Sequence, residues 1–182
     1  YFNLFQYNWL AGSVQTALKD PYQVVLTEEK AKAYFGNLDP QDIIGKEIIY
    51  NDTIKTTVSG IVQEPVQKAT DIRFKEFISV ATMMKTGVYQ NFGGDEWNSI
   101  NSASQLFVKL KQGTGTGQIL PQLAALRKKY VKKEGEEGGA TVHFLQPLRD
   151  IHFNAEYGSF DNLRQAHKPT LYGLLAVALF LL

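Results

Sequence analysis

The chain has 182 residues, of which 44% are hydrophobic and 20% charged, and its formal net charge is +1. This composition excludes a chain that is disordered throughout, and a charge so close to zero gives no electrostatic field that favours nucleic acid. Cysteine is absent, which excludes a disulfide scaffold and a thiolate metal site but leaves the redox compartment open.

The N-terminal third alternates strand and helix signals. Tyr1, Phe5 and Trp9 recur at every fourth position, which suits a helix face, although a strand is also possible. No basic segment precedes an apolar core here, so no signal peptide is predicted, and we expect the chain to be a piece of a longer protein. A strand is predicted at 23–26. Thr27 can cap a following helix, which Gly36 ends before a loop at 37–45.

The next segment predicts a β-hairpin, with a turn at Asn51-Asp52. In its second arm Thr56, Val58, Gly60 and Val62 are expected to share one side of the strand, which Pro65 ends. A further strand is predicted at 75–81.

A glycine-rich loop is predicted at 86–104, and it carries three large aromatic residues, Tyr89, Phe92 and Trp97. Large apolar side chains in such a loop are typical of a partner contact. They can equally fold back as a small cluster of their own, and the sequence does not decide between the two. Few regular hydrogen bonds predict that 89–97 is among the most mobile segments, unless a neighbour orders it.

Residues 104–147 predict a strand–helix–strand unit. Leu106, Val108 and Leu110 alternate as in a strand, and Ile119 to Tyr130 carry a helical apolar stripe. A second strand is predicted at 141–145. One helix over two strands needs a wider sheet, so further strands are expected from elsewhere.

No motif predicts catalysis, a metal or a cofactor. The glycines of "GTGTG" at 113–117 have neither dinucleotide-fingerprint nor Walker-loop spacing, so a flexible connector is favoured over nucleotide binding. His143, His152 and His167 lack metal-ligand spacing, and Asp150 beside His152 lacks a nucleophile elbow. The basic residues at 127–129 suit the C-terminal end of a helix. The catalytic, cofactor and metal predictions are therefore none.

The last residues form the most hydrophobic stretch of the chain, which predicts a helix from about Pro169. A buried helix is the usual interpretation of a run this short, but apolar residues on all sides favour the start of a truncated transmembrane helix instead. In the isolated chain, such a helix is expected to lie against a second copy or in a gap of the fold. The residues expected to contact lipid are Leu171, Tyr172, Leu174, Leu175, Val177, Leu179, Phe180, Leu181 and Leu182.

The string "NWLAGSVQTALKDPYQVVLTEEKAKAYFGNLDPQDIIGKEI", followed by "TTVSGIVQE", resembles the extracytoplasmic (periplasmic) core domain of MacB-like ABC transporter permeases of the FtsX/MacB type. The later "SQLFVKL", "LQPLRDIHF" and "AHKPTLYGLLAVALFLL" are similar to this family too, so the resemblance covers nearly the whole chain. The matching residues of the first two strings are Gly12, Ala17, Leu18, Pro21, Val24, Val25, Leu26, Ala31, Tyr34, Phe35, Gly36, Ile44, Gly45, Lys46 and 58–62.

The resemblance implies an α+β fold with two lobes. Residues 1–102 would be mostly a Sabre-like lobe, and 103–150 the second half of a porter-like β-α-β lobe whose first half would precede Tyr1. Residues 151–168 would return the chain to the membrane, and 169–182 would begin a transmembrane helix.

The resemblance also implies a function that needs no catalytic residue in this domain. The chain would couple ATP-driven conformational change to export, or to the handling of a substrate or partner on the extracytoplasmic side of the inner membrane. Its partners would be an ABC ATPase on a separate domain or subunit, a second permease in a dimer, and membrane lipid, but not nucleic acid. The alternative is a secreted or periplasmic binding or hydrolytic module with a buried C-terminal helix.

Overall fold

The structure, a computed structural model, describes residues 1–64, 74–97, 99, 104–131, 142–154 and 166–182. Within these residues it is a mixed α+β fold built on one five-stranded sheet. The strands are β1 (Trp9–Ala11), β2 (Gln23–Thr27), β3 (Glu47–Tyr50), β4 (Ile54–Val62) and β5 (Glu76–Ile78). The helices are α1 (Glu28–Phe35), α2 (Pro40–Ile43), α3 (Val80–Lys85), α4 (Val88–Asn91), α5 (Thr116–Tyr130) and α6 (Lys168–Leu181), with a short 3-10 helix at Leu148–Asp150.

The long strand β4 lies at the centre of the sheet. β2 runs parallel to it along one edge, and β3 and β1 pair antiparallel with its other edge. β5 pairs antiparallel with the outer edge of β2. The parallel pair requires a crossover between β2 and β4, and the chain makes it through α1, α2 and β3.

The signals that begin and end α1 act as the sequence predicts. The Thr27 hydroxyl accepts a hydrogen bond from the Lys30 backbone N–H at 3.4 Å, and Gly36 ends the helix with a φ of 72°. The predicted hairpin is also confirmed. Asn51 and Asp52 adopt φ values of 49° and 59°, a left-handed conformation that these two residue types tolerate better than most.

A β-bulge at Ser59 makes one prediction about β4 wrong. The register with β2 shifts by one residue at this point. Val58 therefore lies in one core cluster, whereas Gly60 and Val62 face the other side of the sheet. The strict alternation that would put these three residues on one side with Thr56 fails because the bulge inserts an extra residue.

The core consists of two clusters, one on each face of the sheet. The first is covered by α1 and α2, and its buried residues are Ala11, Val24, Leu26, Ala31, Ile43, Val58 and Ile61. The second contains Ala17, Val25, Val62 and Phe77, and aromatic side chains of the N-terminal segment cover it. The segment before β1 is a series of turns, so the fourfold spacing of Tyr1, Phe5 and Trp9 is not a helix face.

Two loops and one strand differ from the sequence prediction. The 37–45 loop holds α2, which Asp39 caps through the Gln41 backbone N–H at 2.9 Å. The strand predicted at 75–81 is only Glu76–Ile78, because the Ser79 hydroxyl caps α3 and turns the chain into a helix. The 86–104 loop contains the short helix α4. Pro65, predicted to end β4, lies outside the described residues.

The predicted strand–helix–strand unit is confirmed only in its helix, α5. Neither 104–110 nor 142–147 is a strand, and residue 141 lies outside the described residues. Leu106 is 86% exposed and Phe144 is 67% exposed, so the alternating apolar residues find no sheet to cover. An alternating pattern of apolar residues predicts which side chains share a face of a strand, but it does not provide the neighbouring strand with which that strand pairs. No strand of the described sheet pairs with these segments.

Candidate functional site

Helix α6 presents the largest exposed apolar surface of the described residues. None of its residues is buried, and its large apolar side chains are between 46% and 90% exposed. It begins at Lys168 with Pro169 in its first turn, as predicted, because proline suits a position that needs no backbone N–H. Its exposure contradicts the buried-helix alternative. It also contradicts the expectation that α6 fills a gap of the fold within this chain.

The length of α6 sets a limit on what it can reach. Its 14 residues extend over about 21 Å, against about 30 Å for the hydrocarbon core of a bilayer. Among the residues that the structure describes, no helix combines the length and apolar character needed to cross a membrane.

The start of α6 is attached to the turn that contains the 3-10 helix. The Ala166 backbone N–H donates to the His152 carbonyl at 2.9 Å, and the Lys168 Nζ lies 5.2 Å from the centre of the Phe153 ring. In the same turn the Asp150 carboxylate accepts a hydrogen bond from the Asn154 amide at 2.7 Å. This position is where the hydrophilic part of the chain meets its most apolar helix.

Hydrogen bonds and nearby cations favour the charged form of Asp150. The hydrogen bond from Asn154 contributes most and the one from Gln146 next, and the charges of Lys168 and Arg149 add to them, so that the pKa of this carboxyl lies below its ordinary value. Asp150 thus acts as a structural anion in the turn. Its predicted lack of a catalytic role stays a prediction.

The three aromatic residues predicted as a partner contact differ in their surroundings. Tyr89 is half-buried and its ring covers Gly94, where a Cβ would lie 2.4 Å from it. Trp97 stacks on Tyr130 of α5, with ring centres 4.1 Å apart and planes within 6°. Phe92 and Trp97 remain 51% and 55% exposed. Tyr89 and Trp97 thus both contact other residues of the chain, and a partner contact at Tyr89, Phe92 and Trp97 stays a prediction.

A cleft of about 840 Å³ lies beside α5. Its apolar walls come from the helix and from the extended segment at 142–144, and Arg127 and Lys128 lie at its rim. The two cations are in the last turn of α5, where they suit the helix dipole, as the sequence predicts. The cleft is open because the 142–144 segment runs beside α5 without forming a sheet under it.

The sequence analysis missed a polar cluster around Glu76. The Glu76 carboxylate accepts hydrogen bonds from the Tyr34 hydroxyl at 2.9 Å and from the Tyr50 hydroxyl, and it forms a salt bridge with Lys30 at 2.9 Å. These residues come from α1, β3 and β5, so the cluster joins the edge strand β5 to α1 and to β3, which pairs with the opposite edge of β4. The spacing of Lys30 and Tyr34 on one helix face was the only local signal of it.

The pKa values in this cluster show how tightly it is held. Burial disfavours the ionised form of Glu76, but the hydrogen bonds from Tyr50, Lys30 and Tyr34 outweigh it and place the pKa below the ordinary value. Burial and the hydrogen bond to Glu76 raise the pKa of Tyr50. The Glu76 carboxylate is therefore held in its charged form by donors from Tyr34, Tyr50 and Lys30, which is a structural arrangement.

The other motifs show no ligand chemistry. The residues of "GTGTG" form a turn with a φ of 81° at Gly113 and then begin α5, and no atom lies near where Cβ atoms of these glycines would point. His143 lines the cleft, and the His167 ring is 2.8 Å from the Thr170 hydroxyl. Within the described part of the chain, no group of three His, Asp or Glu side chains could hold a metal ion.

The fold and surface together define a class: an α+β domain whose core is one mixed sheet, with an apolar helix exposed at its C-terminal side. The model of the MacB-like periplasmic core domain matches residues 1–126. The chain belongs to this family, and the resemblance inferred from the sequence is confirmed.

A solved structure agrees with this fold. A domain of a protein from Porphyromonas gingivalis that is described as a permease has a TM-score of 0.51 and 17% identity, over 74% of this chain and 52% of that one. The periplasmic region of MacB from Actinobacillus actinomycetemcomitans has a TM-score of 0.45 and 18% identity, over 73% of this chain and 54% of that one. The chain thus spans about half the length of both. Comparison with curated protein sequences gives no significant match.

Proposed function

We propose that this chain is the non-catalytic extracytoplasmic domain of an ABC-type permease in the inner membrane. It couples ATP-driven conformational change to export, or to the handling of a substrate or partner outside the cytoplasm. The observation that carries this proposal is membership of the MacB-like periplasmic core family over residues 1–126. ATP hydrolysis belongs to a separate domain or subunit, and the permease works as a dimer.

The division into lobes is part of this proposal. The sheet with α1 to α4 lies within 1–102, which would be the Sabre-like part, and α5 lies within 103–150, which would be the porter-like part. Neither α5 nor α6 packs closely on a strand or on another helix of the described residues. Side-chain contacts such as Phe5 on Phe107 and Trp97 on Tyr130 join the two parts, and a coupling role would act by changing such contacts without unfolding either part.

The apolar surface of α6 supports a place in lipid. Burial of apolar surface stabilises by about 25 cal/mol per Å², so a helix exposed all round gains strongly from leaving water. We therefore propose that 169–182 belongs to a membrane helix, with 151–168 as the segment that returns to the membrane surface. A partner contact on the extracytoplasmic side at Tyr89, Phe92 and Trp97 is part of the same proposal.

Coupling can be tested in the parent permease together with its ATPase. The chain has no cysteine, so spin labels can be attached at K55C in β4 and K128C in α5. Coupling predicts that the distance between these labels differs between the nucleotide-free and the ATP-trapped states. A control pair, K55C with K32C in α1, lies within the sheet lobe and is expected to keep its distance. An unchanged distance for the first pair would contradict the coupling proposal.

A further inference from the structure

Two exposed cations lie where α6 begins. Lys168 is the first residue of the helix, and Arg149 is in the adjacent turn. Both charges help to lower the pKa of Asp150, and the start of α6 lies against this turn through the Ala166–His152 hydrogen bond and the Lys168–Phe153 contact. We call Arg149 and Lys168 the cationic collar. Beyond Lys168 the chain carries no charged side chain.

The helix dipole does not explain the collar. The first turn of a helix carries partial positive charge, so a cation there is disfavoured, whereas the cations of α5 lie in the last turn, where they are favoured. Asp150 accounts for only part of it, because this single negative charge, which also accepts hydrogen bonds from Gln146 and Asn154, can balance one of the two cations. Among the described residues of this turn, one carboxylate therefore lies near two cations, and these three side chains together carry a net positive charge.

Exposed apolar side chains lie next to the cationic collar. Lys168 packs its ammonium over the Phe153 ring, and Leu148 and Phe153 are 54% and 37% exposed. A positive charge beside exposed apolar groups, at one end of an apolar helix, matches the order of a lipid leaflet, in which headgroups lie next to acyl chains. Arg binds phosphate through paired N–H groups, and Lys binds it as a point charge.

We propose that the cationic collar binds the phosphate groups of anionic lipid headgroups while α6 lies in the hydrocarbon below them. This inference rests on the proposed function, which places α6 in the membrane. It adds a preference for anionic over zwitterionic lipid and assigns that preference to two residues. The collar thereby fixes the depth at which the extracytoplasmic domain leaves the membrane.

The test compares vesicle binding of the full chain. Vesicles of pure phosphatidylcholine and of an equal mixture of phosphatidylcholine and phosphatidylglycerol are floated with the chain at low ionic strength. A Lys or Arg near an anionic membrane contributes on the order of 1 kcal/mol, so the two cations predict a preference of about 30-fold for the anionic vesicles. R149A/K168A should lose most of this preference, and R149K/K168R should keep it.

A matched control separates the position of the charges from their number. K46A/K55A removes two exposed cations of the sheet lobe, and we expect it to bind as the original chain does. Circular dichroism of every variant verifies that the sheet is intact, and the charge-preserving variant covers the case in which the alanine variant does not fold.

The outcomes distinguish the cationic collar from the proposal that α6 lies in the membrane. Equal binding to both kinds of vesicle, or a preference that survives in R149A/K168A, overturns the collar and leaves α6 in lipid. An equal loss in K46A/K55A also overturns it, since net charge would then explain the binding. Failure to bind either kind of vesicle overturns both proposals.

Discussion

Replacing Gly12 by alanine tests how β1 is held against the centre of the sheet. Gly12 follows β1 directly and has a φ of 76°. A Cβ at this position would lie 2.4 Å from the Ser59 carbonyl oxygen and 2.9 Å from the Gly60 Cα. Both contacts are with backbone at the bulge of β4, so no side chain can rotate away to relieve them.

The expected cost has two parts. The left-handed conformation costs an alanine roughly 1–2 kcal/mol. Relief of the clash requires β1 to move away from β4, which disturbs both core clusters, and we assign this about 2 kcal/mol, within the range for overpacked cores. G12A is therefore expected to lose about 3 kcal/mol or more of the free energy of unfolding.

Gly45 supplies the matched control. Its φ is 85°, yet nothing lies within 4 Å of where its Cβ would be, so G45A should lose only the conformational part, about 1 kcal/mol. Urea unfolding of both full-length variants, followed by circular dichroism, gives the two free energies. Equal losses in G12A and G45A would refute the argument that the bulge of β4 excludes a side chain at Gly12.

Three further predictions concern the polar cluster, the apolar helix and nucleotide binding. The pKa of Glu76 is lower in the folded chain than its ordinary value of 4.5, so its carboxylate stabilises the fold above that pH and stops doing so as the pH falls through the folded pKa. E76Q should therefore lose about 1–2 kcal/mol of the free energy of unfolding at neutral pH and show a smaller loss of stability as the pH falls. If E76Q and the original chain lose stability equally towards acid pH, the argument for the cluster is wrong. Deletion of 171–182 should reduce self-association and leave the melting temperature of the sheet lobe unchanged, whereas a much lower melting temperature would show that α6 belongs to a core. Calorimetry with Mg-ATP should give no heat above dilution, and a micromolar dissociation constant would restore a nucleotide role for "GTGTG".

Local signals predicted the parts of the fold that depend on neighbours in sequence. Thr27 and Gly36 delimit α1 because a cap and a left-handed glycine act within one turn of the chain. Asn51 and Asp52 form the hairpin turn for the same reason. Family membership could also be inferred, because the order of many short motifs is far more specific than any one of them.

Pairings between distant residues could not be read from the sequence. The bulge at Ser59 is a feature of the register between β4 and β2, two strands that are far apart in the sequence. The cluster around Glu76 joins residues up to 46 positions apart, and each of them looks like an ordinary surface residue alone. The alternation in 104–110 predicted a strand, but a strand also needs a partner, which a pattern of side chains does not provide.

The candidate surfaces follow the same division. The apolar run predicted α6 and its start near Pro169, because helix formation and proline placement are local. The sequence does not predict what covers α6 or which partner would contact Phe92 and Trp97, because both depend on other molecules and not on neighbours in the sequence. The stacking of Trp97 on Tyr130 joins α5 to the loop after α4 and had no signal in the sequence.

Thiol accessibility in intact cells that make the whole permease tests the central claim most directly. The chain contains no cysteine. Maleimide labelling of K55C in β4 or of V177C in α6 therefore has no contribution from other cysteines of this domain. An extracytoplasmic sheet lobe beside a membrane helix predicts that a membrane-impermeant maleimide labels K55C in intact cells and reaches V177C only after detergent is added. Labelling of K55C only after lysis, or ready labelling of V177C in intact cells, would contradict the account.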